Sequence, residues 1–367
     1  MKTNSLFNPY DLGSLNLSNR IAMAPMTRSR AINNVPNDIM ATYYGQRASA
    51  GLIITEGVSP SPNGLGYARI PGIFSEEQVN AWKKITNAVH DKGGRIFVQL
   101  MHTGRIAHVD NLPAGAQVVA PSAIVAKGKM WTDQNGLQDH PVPVALSPEA
   151  LQTTKAEFVN AAKNAIQAGF DGVELHSANG YLLEQFISPF SNQRTDEYGG
   201  NITNRTRFVL EVVREVSEAI GKEKTGIRLS PYGVYNDMAH YAEIDATYSL
   251  LAEELNRLEI AYLHLLDHSA DGAPEVPLYF KEKIRSIFRN AMIMTGGYNL
   301  ERAEQHLSSN LTDIVAFGKP FVSNPDLVHR LQKNLPLNIK LDASTLYTPG
   351  EKGFTDYPVF SEEVVTV

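Results

Sequence analysis

The sequence predicts an α/β fold, a TIM-type (β/α)8 barrel in one domain spanning residues 1–367, and three observations carry that prediction. Short apolar, β-branched runs recur along the chain, and stretches with helical periodicity follow them. No internal repeat or low-complexity linker marks off a second domain. Eight such runs fit: Ile21 to Pro25, Leu52 to Thr55, Arg95 to Gln99, Gly172 to Leu175, Thr225 to Leu229, Tyr262 to Leu266, Ala291 to Thr295 and Ile314 to Phe317. Eight parallel strands with intervening helices favour a closed barrel over the alternative, an open doubly wound sheet.

The intervening elements can be justified in order. Ser75 ahead of Glu76, Glu77 and Val79, and Ser147-Pro148-Glu149 ahead of Leu151 and Phe158, are N-caps followed by acids or proline. Further helices are predicted near Asn204 to Ile220, Asp245 to Leu258, Leu300 to Leu307 and Asn324 to Leu331. The connection after the third strand, about residues 101–146, is broken by Gly104, Pro113, Gly115, Pro121, Gly128, Gly136, Pro141 and Pro143, and reads as a lid loop. The tail over about residues 336–367 is irregular, and Tyr347, Tyr357 and Pro358 predict that it folds back over the barrel mouth.

Composition narrows the function. The chain has 367 residues, 43% hydrophobic and 20% charged, enough for a large core. A net charge of -6 with no basic run beyond Lys83-Lys84 offers no surface for nucleic acid or anionic membrane, which leaves small molecules as the expected partners of a monomer or homodimer. The absence of cysteine rules out disulfides, thiolate zinc sites, iron–sulfur clusters and cysteine nucleophiles. Met1 to Ser5 lead into no apolar signal core, and no apolar run approaches the roughly 20 residues of a membrane span, so a cytoplasmic location is expected.

Barrel active sites form at the carboxyl ends of the strands. There the chain carries Thr27, Gly57, Gln99, His176 with Asn179 and Tyr181, Arg228, His264 to His268, Gly296-Gly297 and Gly318-Lys319. Each alone reads as a polar plug or an ordinary turn; eight at one end read as a site. The glycines after strands seven and eight, with the Lys319 ammonium, suit a phosphate group. With no G-x-G-x-x-G opening a βαβ unit, a phosphate-bearing cofactor across the barrel mouth fits better than a dinucleotide fold. A metal-dependent hydrolase is the rival, from His102, His108, His176, His264 and His268, but the first strand ends in Pro25-Met26-Thr27 and no carboxylate on strand eight completes a centre. His264 reads as a satisfied core histidine, and His102 and His108 as solvent-facing.

The segment His176-Ser177-Ala178-Asn179-Gly180-Tyr181-Leu182, followed by Gln185-Phe186, Asn192, Arg194-Thr195-Asp196 and Tyr198-Gly199-Gly200, resembles the Old Yellow Enzyme family, in its N-ethylmaleimide reductase and xenobiotic reductase branch. The likeness continues through Ala24-Pro25-Met26-Thr27-Arg28-Ser29-Arg30, Thr55-Glu56-Gly57, Gln99-Leu100, His102-Thr103-Gly104-Arg105 and Phe317-Gly318-Lys319, covering essentially the whole chain. The resemblance implies a barrel that holds FMN tightly, takes hydride from NADPH or NADH, and reduces the C=C bond of activated alkenes in ping-pong fashion. It places Pro25, Met26, Thr27 and Gly57 along the flavin, Gln99 and Arg228 at its pyrimidine edge, and Gly296, Gly297, Gly318 and Lys319 at the phosphate, with no metal. It makes His176 and Asn179 the grip on the substrate oxygen and Tyr181 the proton donor, with Tyr67, Met101 and Tyr347 lining the pocket.

Three positions depart from the family pattern. Lys319 stands where arginine is usual, which implies a point charge rather than a bidentate fork on phosphate. Met101 stands where bacterial relatives carry tryptophan, which implies a wider, softer pocket. Phe354 replaces a tyrosine in the tail. Relatives with an iron–sulfur domain need cysteines that this chain lacks. A barrel with the same layout acting only as a flavin-binding scaffold is the non-enzymatic alternative.

Overall fold

The computed structural model describes residues 5–361; Met1 to Asn4 and the last six tail positions, both covered by the sequence reading, lie outside them. Eight strands, β1 (Ile21–Met23), β2 (Leu52–Val58), β3 (Ile96–Leu100), β4 (Gly172–Ser177), β5 (Thr225–Leu229), β6 (Tyr262–Leu266), β7 (Ala291–Thr295) and β8 (Ile314–Phe317), pair in parallel and in order, and β8 returns to β1. The sheet is therefore closed, and the open-sheet alternative falls.

The barrel is filled in layers, because side chains two apart on a strand face the same way. At the amino-terminal end Phe97 and Tyr262 fill the interior. Their neighbours on β4 and β5 are glycines for that reason: a methyl on Gly172 would lie 2.4 Å from the Phe97 ring, and one on Gly226 2.3 Å from the Tyr262 ring. A hairpin of Tyr10–Leu12 with Leu15–Leu17 closes this end, packing Leu12 and Leu17 against the same cluster. Further up the interior turns polar: Glu174 is in register with Gln99, and Arg228 with His264 on one side and His176 on the other. His176 borders the barrel mouth.

Helices α1 (Asp38–Gln46), α2 (Glu76–His90), α3 (Pro148–Gln167), α4 (Leu182–Ile187), α5 (Ile202–Ile220), α6 (Ile244–Arg257), α7 (Leu278–Ile287), α8 (Leu300–Ser308), α9 (Lys319–Ser323) and α10 (Leu327–Lys333) make up the helical complement of the described residues. Ser75 and Ser147 cap α2 and α3, Ser75 within a capping box completed by Gln78. Residues 101–146 are more ordered than the expected loop: Val119–Ala120 pairs with Val144–Ala145, and Lys129–Thr132 with Gly136–Asp139 forms an antiparallel hairpin. The hairpin reverses through three residues and Gly136 at φ 66°, a left-handed corner natural to glycine. Among the described residues no helix is long and apolar enough to cross a membrane.

Candidate active site

The polar layer is a charge-balanced floor. Glu174 is fully buried, accepting from the Gln99 amide at 2.8 Å and pairing with His264 Nδ1 at 2.8 Å. Burial alone would raise its pKa, but His264, Arg228 and Gln99 together hold it below the usual carboxylate value. His264 is pushed down by burial, partly offset by Glu174. The reading of His264 as a core histidine holds for Nδ1, while its Nε2 has no partner. Arg228, next to His176 on the neighbouring strand, is buried and stays a cation. Its Nε and the Nδ1 of His176 are both buried without a hydrogen-bond partner.

Above this floor the chain turns sharply. Asn179 and Gly180 take consecutive left-handed conformations, φ 59° and 74°, which asparagine and glycine adopt most readily. The turn is held from beneath by Glu184, whose carboxylate accepts from Gly180 N at 2.6 Å, Ser230 Oγ at 3.0 Å and Tyr248 Oη at 2.8 Å. Ser230 Oγ in turn accepts from Asn179 N at 2.9 Å, and Asn236 donates to the Asn179 carbonyl at 2.7 Å. Burial lifts Glu184 to about 7. The turn delivers Tyr181, whose hydroxyl lies 3.0 Å from that of Tyr67. Burial raises both phenols above their ordinary value, so both keep their protons at neutral pH. His176 sits edge-on to the Tyr181 ring at 5.0 Å and is held well below its ordinary pKa by burial and then by Arg228, so it is a neutral imidazole.

Two lobes of one cleft collect the residues expected at the flavin, the phosphate and the substrate, while His102, His108 and His264 line neither. The larger, about 1040 Å³, is walled by Gly57, Gln99, Met101 and His176. The smaller, about 670 Å³, is walled by Met26, Gly296, Gly297, Gly318 and Lys319. Pro25, Thr27, Tyr67, Asn179, Tyr181, Arg228 and Tyr347 border both. Met101 is buried, and its sulfur fills the space over Gly57, where a methyl would come within 2.4 Å of it. Lys319 is not a free cation: its ammonium pairs with Asp271. Arg302, which the sequence reading passed over, donates to the Gly296 carbonyl at 3.1 Å and adds a second positive charge beside the glycine pair. Arg69, also unremarked in the sequence, joins three parts of the rim, binding Asp133 at the hairpin tip, the Tyr347 carbonyl at 2.7 Å and the Ser29 carbonyl at 3.1 Å.

The imidazoles do not converge. His102, expected at the surface, is buried; its Nδ1 accepts from Gly104 N at 3.1 Å, and burial pushes it down to about 3. His108 caps the short turn Val109–Asn111. No group of three or more His, Cys, Asp or Glu among the described residues is placed to hold a metal ion. The donor set fits FMN instead: unpartnered Arg228 and His176 atoms over a polar floor suit an acceptor-rich ring, and the glycine lobe with Lys319 and Arg302 suits a phosphate.

Comparison with known proteins agrees with this geometry. Residues 5–338 match the family described as NADH:flavin oxidoreductase / NADH oxidase. Chanoclavine-I aldehyde reductase of Penicillium roqueforti is 41% identical over 98% of this chain and 97% of its own length. A probable flavin mononucleotide-dependent alkene reductase of Leishmania infantum is 41% identical over 96% of this chain and 97% of its own length. Morphinone reductase superposes with a TM-score of 0.94 at 43% identity, covering 98% of both chains, and it has also been solved in complex with tetrahydroNAD.

Proposed function

Because the chain belongs to the NADH:flavin oxidoreductase / NADH oxidase family, and within it to the Old Yellow Enzyme kind, we propose that it reduces the C=C bond of α,β-unsaturated carbonyls, maleimides and nitroalkenes with electrons from NADPH or NADH. The observation that supports this reading most directly is the convergence of His176, Asn179 and Tyr181 on one cleft wall beside Arg228, whose buried Nε has no partner. Bound FMN would supply the hydride relay between the nicotinamide and the alkene β-carbon.

The chain's own residues do the rest. Gly296, Gly297, Gly318 and Lys319 would hold the phosphate, and Pro25, Met26, Thr27, Gly57, Gln99 and Arg228 would frame the ring. Neutral His176 and the Asn179 amide each offer an N–H to the substrate's carbonyl or nitro oxygen, drawing electron density from the β-carbon and stabilising the enolate that follows. Tyr181 then supplies the proton to the α-carbon, and Tyr67 holds the Tyr181 hydroxyl in place. Tyr347, Trp131 and Leu137 form an apolar rim that shields this chemistry from water.

The purified protein is expected to be yellow, to release FMN and not FAD on denaturation, and to consume NADPH or NADH when 2-cyclohexenone is added. A colourless protein that cannot be reconstituted with FMN overturns the reading.

A further inference from the structure

The amide of Asn179 has one oxygen and one NH2, and only one of the two can face the cleft. If the NH2 faces inward it donates to a substrate oxygen; turned over, the amide presents its own oxygen and repels the same atom. The choice is made by what lies behind it. His268 Nε2 sits 2.6 Å from Asn179 Oδ1; with the imidazole proton on Nε2 this is a hydrogen bond donated to Oδ1, which directs the Asn179 NH2 away from His268 and toward the cleft that Asn179 lines.

His268 is built into its position. It follows β6, where Asp267, itself buried, pairs with Lys281 at 2.6 Å and accepts from Ser269 N at 2.9 Å, fixing the backbone on both sides of the histidine. The His268 carbonyl accepts from Asp271 N and Ala273 N. The Tyr235 ring packs on the imidazole with centroids 4.2 Å apart. Burial and then Arg228 lower its pKa to about 4, so it is a neutral single donor near pH 7 and adds no charge to the cleft. A ring held this rigidly has no evident structural use for a 2.6 Å contact to a turn residue 89 positions away.

We propose that His268 is a positioning residue for the oxygen-binding pair, selecting the orientation of the Asn179 amide that presents its N–H groups to the substrate. The inference rests on the proposed function and deepens it. It assigns specificity to the pair: ligands that bring an acceptor oxygen, such as enones, nitroalkenes and phenolates, are favoured over those that bring a donor.

The test is a double-mutant cycle on the FMN-loaded protein, read as the dissociation constant of a phenol titrated against flavin absorbance. His268→Ala is expected to weaken phenol binding roughly 5- to 10-fold, the scale of one neutral hydrogen bond, with FMN retention and melting temperature near the parent's. His268→Gln keeps an N–H at the same reach and is expected to recover most of the loss. In an Asn179→Ala background, His268→Ala is expected to change nothing further. An additive loss there, or unchanged phenol binding in His268→Ala, overturns the inference while leaving the proposed function standing. If Asn179→Ala alone leaves phenol binding intact, the oxygen-binding role of Asn179 fails and the inference fails with it.

Discussion

Tyr181→Phe removes one hydroxyl and keeps the ring that packs edge-on to His176 and Tyr67, so it separates the proton from the packing. Burial raises the Tyr181 pKa above 10, so the acid is fully present through neutral pH, and no alkaline decline from this group is expected below about pH 10. General acids are typically worth about 10²- to 10⁴-fold. Tyr67 keeps its own phenol 3.0 Å from the position of the lost oxygen, so in the proposed mechanism a water in the vacated place would relay its proton. Tyr181→Phe alone is therefore expected near the lower end, about 10²-fold or ~2.7 kcal/mol of barrier, and Tyr67→Phe with Tyr181→Phe near the upper end. Stopped-flow absorbance resolves the two half-reactions: NADPH-driven reduction should stay near the parent rate while reoxidation by 2-cyclohexenone falls. Nitroalkenes leave a more stable anion, so reoxidation by them should fall far less. Enone reoxidation at the parent rate in both variants would refute the assignment of the proton to this pair.

Two further outcomes concern the far lobe and the rim. Lys319→Ala should weaken FMN retention, whereas Asp271→Asn should tighten it about two- to fivefold at low salt and less at high salt, because Asp271 competes with phosphate for an exposed ammonium; FMN titration of the apoprotein measures both, and identical affinities would remove Lys319 from the phosphate site. Arg69→Ala should free the hairpin tip from the tail and speed proteolytic cleavage near residues 133–136 several-fold with little loss of barrel stability; an unchanged cleavage rate would show that the rim is held by other contacts.

The eight barrel runs were legible because a parallel strand buried on both faces is mostly apolar, and each of these is, apart from the few polar side chains that face the barrel interior near its mouth. The hairpin at the barrel bottom was not, since two three-residue strands leave too little pattern to read. Helix α1 buries the adjacent Tyr43 and Tyr44, which blurs helical periodicity, and α7 starts at Pro277 without a side-chain cap. The walls of the cleft were legible because barrel topology fixes where strand ends gather. The groups that set the state of those walls were not. Glu174 meets His264 across 90 positions, His268 meets Asn179 across 89 and Lys319 meets Asp271 across 48, and single-chain patterning carries no signal over such separations.

The motif that carries the family likeness also divides in an unexpected way, since several of its side chains bind the backbone of irregular segments. Arg28 and Arg30, two and four places after the start of Met26-Thr27, are buried and donate to carbonyl oxygens of the tail: Arg28 to Gly353 at 2.6 Å, Arg30 to Leu346 and Thr345 at 2.7 Å each. Phe354 stacks on Tyr43 at 4.0 Å with both guanidinium groups close to its ring, so a residue that departs from the family pattern is part of the same clamp. Arg194 likewise donates to the carbonyls of Pro121 and Leu146, tying the middle of the excursion to its end, and Gln185 bonds the carbonyls of Thr103 and Gly180. Tail and excursion are poor in regular structure, so their carbonyls lack ladder partners, and a buried carbonyl left unpaired is costly. Planar forks with several fixed donors satisfy two or three such oxygens at once, which lysine's single ammonium does less well. The chemistry proposed for His176, Asn179 and Tyr181 would therefore depend on arginines that hold the irregular segments bringing Tyr347 and the hairpin to the mouth of the cleft.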